Sequence, residues 1–202
     1  MDEEFSDQEG DTLLRLARMT IGEKLGVRAD ENDIAALEKE LEAGVFKKKR
    51  GVFVTLQMNG ELRGCIGNLE AGETVAEAVR ENSVNAAFKD PRFPALQRHE
   101  LERVSIEISI LTKPEPVKYR DKNDLLSKIT PNKDGVIIAD NRKKATFLPQ
   151  VWEQVPGKEE FLSHLCVKAG MRKNEWKNGG LEVKVYRVES FQEKTGNFGT
   201  DF

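Results

Sequence analysis

The chain has 202 residues, a length that suits one domain or two small lobes around a shared core. Its formal net charge of −3 and its pI of about 5.7 argue against non-specific nucleic-acid binding, which needs a basic surface. No apolar stretch is long enough to span a bilayer, and the opening Met-Asp-Glu-Glu does not resemble a signal or transit peptide. We therefore expect a cytoplasmic, soluble protein that engages neither membranes nor nucleic acids.

Cysteine and histidine usage restricts the chemistry. Only Cys65, Cys166, His99 and His164 are present, too few for a four-cysteine zinc site or a histidine-rich metal centre. Two distant thiols fit a reducing compartment better than a disulfide scaffold. Phosphate-binding loops, dinucleotide glycine fingerprints, nucleophile elbows and His-Glu-x-x-His are also absent from the sequence. No metal is expected, and the cofactor stays unknown.

The first half of the chain changes from helical to strand periodicity. Residues 1–10 are acidic and predict a disordered tail. Apolar spacing predicts a helix from about Asp11 to Leu25 and a second helix that buries Ile34. Residues 52–58 then alternate as a strand, and Asn59-Gly60 predicts a tight hairpin turn, because a type I′ turn needs positive φ at both central residues.

A helix, a proline-fixed loop and a strand follow. Thr74 and Glu77 match a capping box, which predicts a helix to about Phe88. The loop Asp90-Pro91-Arg92-Phe93-Pro94 ends it, and residues 104–110 alternate as a clean strand. Prolines in residues 112–120 mark a possible boundary between two lobes.

The remaining chain repeats this mixture. A second hairpin is expected around Asp140-Asn141, then a helix that buries Cys166, then a strand from about Leu181. Residues 192–202 predict a loose C-terminal tail. Helices and hairpins without regular βαβ alternation favour an α+β fold, with mostly antiparallel sheet flanked by helices in a single domain over residues 11–191.

The segment Leu62-Arg63-Gly64-Cys65-Ile66-Gly67 is the first candidate site. A thiol is nucleophilic only as the thiolate, and a nearby Arg63 would favour that form or clamp an anion. Gly64 and Gly67 would let a ligand or another backbone approach closely.

The predicted hairpin register does not decide whether the side chains of this segment face the core or a cleft. With a two-residue turn, Val54 faces Cys65 and Leu56 faces Arg63, so both would share the face of Val54. A core face would make Cys65 a small buried hydrophobe and would bury Arg63, which is costly unless the charge is paired. Three outcomes stay open: a bulge at Gly64, a buried carboxylate such as Glu107 beside Arg63, or a face that opens into a cleft.

The proline-fixed loop is the second candidate. It presents Asp90 and Arg92 either as an internal ion pair in a rigid connector or as ligand-binding groups, since loops on rigid scaffolds often carry function. Cys166 lies on an apolar helical face and is expected in the core. His99 and His164 have no sequence support for catalysis, and the basic run of residues 47–50 is expected to be a solvated loop.

Five segments in chain order carry a resemblance to a known protein family: 51–56, 62–67, 86–94, 145–151 and 168–171 with Trp176. They resemble the AMME chromosomal region protein family, whose prokaryotic members are similar to protein A of the AmmeMemoRadiSam system. The resemblance implies a compact fold of two unequal lobes with a cleft between them, and association with Memo-type and radical-SAM proteins. It supplies no established activity.

The residues and the resemblance together leave two functions in view. The first is a catalytic or substrate-binding component in which Cys65 is the nucleophile or a ligand contact and Glu107 is a conceivable acid or base. The second is a non-catalytic module that binds a small-molecule ligand or docks a partner protein, which the lack of a histidine near the cysteine favours.

Overall fold

The computed structural model describes residues 4–69, 71–140 and 142–193. These residues form two compact units, each built on one four-stranded sheet. The first unit comprises residues 4–111 and 189–193, and the second is Thr112–Val188. Helices lie with antiparallel strand pairs in both units, which confirms the predicted α+β class.

The elements follow the predicted order along the chain, with two strands, β4 (Glu115–Pro116) and β8 (Val188–Gln192), that the sequence analysis did not predict. Among the described residues, no helix has the length and apolar character needed to cross a membrane. The elements are α1 (Asp7–Lys24), α2 (Glu31–Leu41), β1 (Val52–Met58), β2 (Glu61–Asn68), α3 (Val75–Phe88), β3 (Val104–Leu111), β4 (Glu115–Pro116), α4 (Lys122–Lys128), β5 (Gly135–Ala139), β6 (Lys144–Phe147), α5 (Lys158–Lys168), β7 (Glu182–Tyr186) and β8 (Val188–Gln192).

Helix α1 begins earlier than the sequence predicts. Ser6 and Glu9 form a reciprocal capping box, and Phe5 is buried against the core. The expected disordered tail of residues 1–10 is therefore wrong for residues 5–10, because the cap and the buried ring fix this segment. Residues 1–3 and most of the expected loose tail, 194–202, lie outside the described residues.

The sheet of the first unit has the strand order β2-β1-β3-β8. One of its faces is apolar and packs against α1 and α3, with alternate residues of β1 and β3 fully buried. The predicted capping box of Thr74 and Glu77 is present at the start of α3. Ile34 of α2 is 42% exposed, so its predicted burial is wrong; α2 rests on the core through Leu37 and Leu41.

A β-bulge in β2 changes the predicted hairpin register. The turn at Asn59-Gly60 has positive φ at both residues, as expected, but the pairing shifts after Gln57, and Arg63 has no partner on β1. Beyond the bulge Cys65 pairs with Thr55, so the predicted pairing with Val54 is wrong. One extra residue moves the side chains that follow to the other face of the sheet.

The sheet of the second unit has the order β4-β7-β5-β6. Strands β5 and β6 form the predicted hairpin, of which Asn141 lies outside the described residues. One face packs on α5, where the ring of Trp152 stacks on Phe161 with centroids 3.6 Å apart. Cys166 is fully buried in this core, as predicted.

The opposite face of this sheet carries a buried tyrosine over a glycine. The Tyr186 ring covers Gly135, where an added Cβ would lie 2.3 Å from ring carbon Cζ. The Tyr186 hydroxyl lies 3.0 Å from Thr146 Oγ1 and donates to the Phe147 carbonyl at 3.2 Å. Burial raises the pKa of Tyr186 to about 12. A side chain at position 135 would displace this ring and its hydrogen bonds.

We expect Gly135→Ala to lower the free energy of unfolding of the second unit by about 3 kcal/mol, because overpacking against a fixed ring costs this much. Both tryptophans, Trp152 and Trp176, belong to this unit, so urea unfolding followed by tryptophan fluorescence reports on it. Gly72→Ala is the control, because a Cβ at Gly72 would meet no other atom within 4 Å. Equal midpoints for the two variants would contradict the packing argument.

Candidate functional site

The second face of the first unit's sheet is polar, and the shifted register places Cys65 on it. Thr55 of β1 pairs with Cys65 on one side and with Glu107 of β3 on the other. Residues paired in this way share a face, so the three side chains form one row, about 10 Å from end to end. We call the side of the sheet that carries Thr55, Cys65, Glu107 and Ser109 the polar face.

Hydrogen bonds link the groups of the polar face. Thr55 Oγ1 donates to Cys65 Sγ at 3.3 Å. Ser109 Oγ lies 3.5 Å from Glu107 Oε1 and 3.2 Å from Ser190 Oγ. Cys65 and Glu107 are both half-buried, in contrast to the fully buried Cys166. The row therefore offers a thiol, a hydroxyl and a carboxylate that are partly accessible.

The main chain of Cys65 is held by the second candidate segment. Strand β2 is at the edge of the sheet, so alternate N–H and C=O groups point away from β1. Asp90 Oδ2 accepts the Cys65 N–H at 2.9 Å, and Arg92 Nη2 donates to the Cys65 carbonyl at 3.1 Å. The two side chains replace a neighbouring strand at this residue and fix its backbone.

Asp90 is the centre of this arrangement. It is 4% exposed and accepts hydrogen bonds from the Arg92 N–H, Nε and Nη2. The Arg92 guanidinium, helped by the N–H groups of Cys65 and Arg92, holds the pKa of Asp90 well below its usual range despite burial. Arg92 keeps 54% of its side chain exposed, 5.5 Å from the Phe93 ring centroid. The sequence offered Asp90 and Arg92 either as an internal ion pair or as ligand-binding groups. The structure shows the ion pair and adds Cys65 as the shared partner of both residues.

Arg63 has a different environment from Cys65. Its Nε and Nη2 donate to the two carboxylate oxygens of Glu100 at 2.9 and 3.0 Å, and its Nη1 donates to the Pro94 carbonyl at 3.0 Å. Of the three outcomes left open by the sequence, two occur together: β2 bulges beside Gly64, and a buried carboxylate pairs with Arg63. That carboxylate is Glu100, so the suggestion of Glu107 is wrong. The Arg63 guanidinium is buried and paired with Glu100. The prediction that Arg63 clamps an anion or stabilises a thiolate therefore has no support.

The two glycines of the motif make room for protein atoms. A Cβ on Gly64 would lie 2.2 Å from the Ala86 carbonyl oxygen of α3, and a Cβ on Gly67 would lie 2.4 Å from the Phe53 ring. Gly64 thus lets α3 approach the sheet, and Gly67 lets the Phe53 ring cover β2. Of the sequence's two explanations for these glycines, close approach of other protein groups is the one observed.

The remaining candidates lie apart from this row. His99 is exposed in a short 3-10 helix, and His164 is exposed on α5, 3.9 Å from Glu160. Burial raises the pKa of the Cys166 thiol, which disfavours its thiolate. No cluster of three or more His, Cys, Asp or Glu able to hold a metal occurs among the residues described.

Sequence reasoning missed two residues of the region. Thr55 was recognised only as an alternating strand position, and its place between Cys65 and Glu107 depends on the shifted register. Glu100 was passed over because the loop between α3 and β3 gave no sign of which carboxylate returns to β2. The one available signal was the spacing of Gln97 and Glu100, and in the structure the Gln97 N–H donates to Glu100 Oε2 at 2.8 Å.

Comparisons with known proteins find matches over most of the chain. The AMMECR1 family model matches residues 14–191. A protein of Thermofilum pendens is 38% identical over 95% of this chain and 92% of its own length. Protein MJ0810 of Methanocaldococcus jannaschii is 38% identical over 91% of this chain and 88% of its own. The crystal structure of uncharacterized protein PH0010 from Pyrococcus horikoshii aligns with a TM-score of 0.75 and 30% identity over 94% of each chain.

We expect Glu100→Gln to lower the free energy of unfolding at neutral pH by about 2 kcal/mol, because it breaks a buried ion pair. The Arg63 hydrogen bonds, with that of the Gln97 N–H, lower the pKa of Glu100 in the folded protein. A lowered carboxyl pKa contributes stability above the unfolded value and loses it as the pH falls through the folded value. The gap between wild type and variant should therefore narrow below about pH 4.

Urea unfolding followed by circular dichroism between neutral and acidic pH would measure this gap. Glu38→Gln is the matched control, because Glu38 pairs with Arg80 at an exposed site and its loss should cost about 0.5 kcal/mol or less. A gap that is constant across the pH range would show that the Arg63–Glu100 ion pair does not stabilise the fold.

Proposed function

This chain is a member of the AMMECR1 family, and we propose that it acts there as a substrate-binding component whose chemistry is centred on the Cys65 thiol. The observation that carries the proposal is the single row in which Thr55 lies between Cys65 and Glu107. A nucleophile and a carboxylate about 10 Å apart leave room for a small substrate group between them. Memo-type and radical-SAM proteins are its proposed partners, on the resemblance of the sequence alone.

Each group in the row has a role in this proposal. Cys65 Sγ is the nucleophile or the direct substrate contact, and Thr55 donates a hydrogen bond to it. Glu107 is the group that accepts or returns a substrate proton. Asp90 and Arg92 fix the Cys65 backbone, so the thiol is presented at one position relative to Glu107.

A non-catalytic binding module is the second candidate. It is favoured by the placement of His99 and His164, since neither lies in the row and no histidine base is paired with the thiol among the described residues. In this function the polar face would bind a small molecule or a partner protein, and Cys65 would contribute contact area alone.

The first test is the alkylation of native protein with iodoacetamide, followed residue by residue by mass spectrometry. We expect Cys65 to react in the folded protein and Cys166 to react only on unfolding, because Cys166 is buried and its thiol pKa is raised. A Cys65 that stays as inert as Cys166 until unfolding would exclude a role as nucleophile. The binding module would then be the better account.

The second test asks whether Thr55 acts together with the Cys65 thiol. We expect Thr55→Val to slow Cys65 alkylation about threefold at fixed pH, because the reacting sulfur loses a hydrogen-bond donor worth under about 1 kcal/mol. Ser109→Ala removes a hydroxyl from the same face that does not contact the thiol, so it should leave the rate unchanged. Equal rates for wild type and Thr55→Val would remove Thr55 from the site.

A further inference from the structure

Charge is divided very unevenly between the two units. The sequence of the second unit, Thr112–Val188, contains sixteen Lys or Arg and ten Asp or Glu, a net charge of +6. The rest of the chain contains sixteen Lys or Arg and twenty-five Asp or Glu, a net charge of −9. The overall charge of −3 therefore conceals a basic unit of 77 residues joined to an acidic one.

Contacts within the second unit bring many of its cations to one place. Lys168, in the last turn of α5, donates to the Thr146 carbonyl of β6 at 3.0 Å, and its Nζ lies 5.0 Å from the Phe147 ring centroid. Lys143 donates to the Gly170 carbonyl just after α5. The hairpin of β5 and β6 thus meets the end of α5. The turn after α5 is close to the same hairpin, since Glu175 lies near Asp140. We use the name basic edge for five exposed cations of the hairpin, the last turn of α5 and this turn, leaving out Arg172, which pairs with Glu175: Arg142, Lys143, Lys144, Lys168 and Lys173.

Nearby carboxylates do not cancel this charge. Asp140 lies at the hairpin and accepts the N–H groups of Arg142 and Lys143. Glu175 is occupied by Arg172 at 2.7 Å. On β7, Glu182 pairs with Lys184 at 2.8 Å and also lies near Lys144. Asp140, Glu175 and Glu182 are thus the acids close to this region, and they are outnumbered by its cations, which also include Arg172 and Lys184.

An exposed apolar side chain lies within the same region. Val167 directly precedes Lys168 on α5 and is 56% exposed, the largest exposure among the big hydrophobic side chains of the described residues. A valine in this setting has no role in the core of the second unit. It offers one apolar contact point directly beside Lys168 of the basic edge.

We propose that the basic edge with Val167 is a docking surface for an acidic protein segment that carries an apolar side chain. Charge complementarity supplies attraction and orientation, and burial of Val167 supplies contact energy. Lysines at a strand edge also prevent unwanted strand pairing, and Lys168 does this at Thr146. Edge protection does not account for Arg142 and Lys173, which lie outside β6.

A protein segment fits this surface better than a nucleic acid. Single-stranded nucleic acids are bound by cationic grooves in which exposed aromatic rings stack on the bases. The large exposed hydrophobic residues of the described chain are Ile34, Leu62 and Val167, none of them aromatic. Phe147, the ring nearest Lys168, is only partly accessible and packs on the core of the second unit.

The test is fluorescence anisotropy of the full chain with a short labelled peptide in which Glu and Asp surround one Leu. We expect salt-sensitive binding that Arg142→Glu with Lys173→Glu weakens about tenfold. We expect Val167→Ser to weaken it about fivefold, and by the same factor at low and high salt. Replacing the peptide's Leu by Ser should remove the difference between Val167→Ser and wild type.

The control is Arg28→Glu with Lys47→Glu, which makes the same charge change at exposed residues of the first unit. Wild-type binding retained by this control supports docking at the basic edge. Equal loss in both double variants, or no binding of the peptide by wild type, overturns the proposal. Tighter binding of oligouridylate than of the peptide, lost in Arg142→Glu with Lys173→Glu, overturns it in favour of a nucleic-acid partner.

Discussion

The β-bulge at Arg63 is the constraint on which the first unit's site depends. A hairpin with regular pairing would direct Cys65 to the apolar face, under α1 and α3, where a thiol packs and does not react. The unpaired residue shifts the register by one, and Cys65 joins Thr55 and Glu107 on the polar face. The same bulge leaves Arg63 without a partner on β1, and the Arg63 guanidinium pairs with the Glu100 carboxylate.

Two ion pairs around the bulge have separate tasks. Arg63 and Glu100 are both buried and connect β2 to the segment before β3, so they fix the position of the bulge. Asp90 and Arg92 act one residue beyond Gly64, on the outward N–H and C=O of Cys65. Because an edge strand has no neighbour to order it, this second pair determines how precisely the thiol is presented.

The second unit is organised around aromatic packing and carries a different surface. Trp152, Phe161 and Phe147 form its core with Cys166, and Tyr186 covers the other side of the sheet at Gly135. Its excess of cations is hidden in the composition of the whole chain, because the first unit carries the opposite charge. Each unit of this family member thus has a feature of its own: the first has a polar face with a thiol, and the second has the basic edge.

The sequence by itself determined most of the elements, the hairpin turn at Asn59-Gly60 and the cap at Thr74, because each rests on residues close together in the chain. It offered the ion pair of Asp90 with Arg92 as one of two alternatives, and the structure shows that pair. It also identified Cys65 and Glu107 as separate candidates. Only the tertiary structure decided that they share a face and that Glu100 is the partner of Arg63. The position of the bulge depends on the close approach of α3 to Gly64 and on Glu100, which is 37 residues from Arg63. Neither contact produces a local pattern in the sequence.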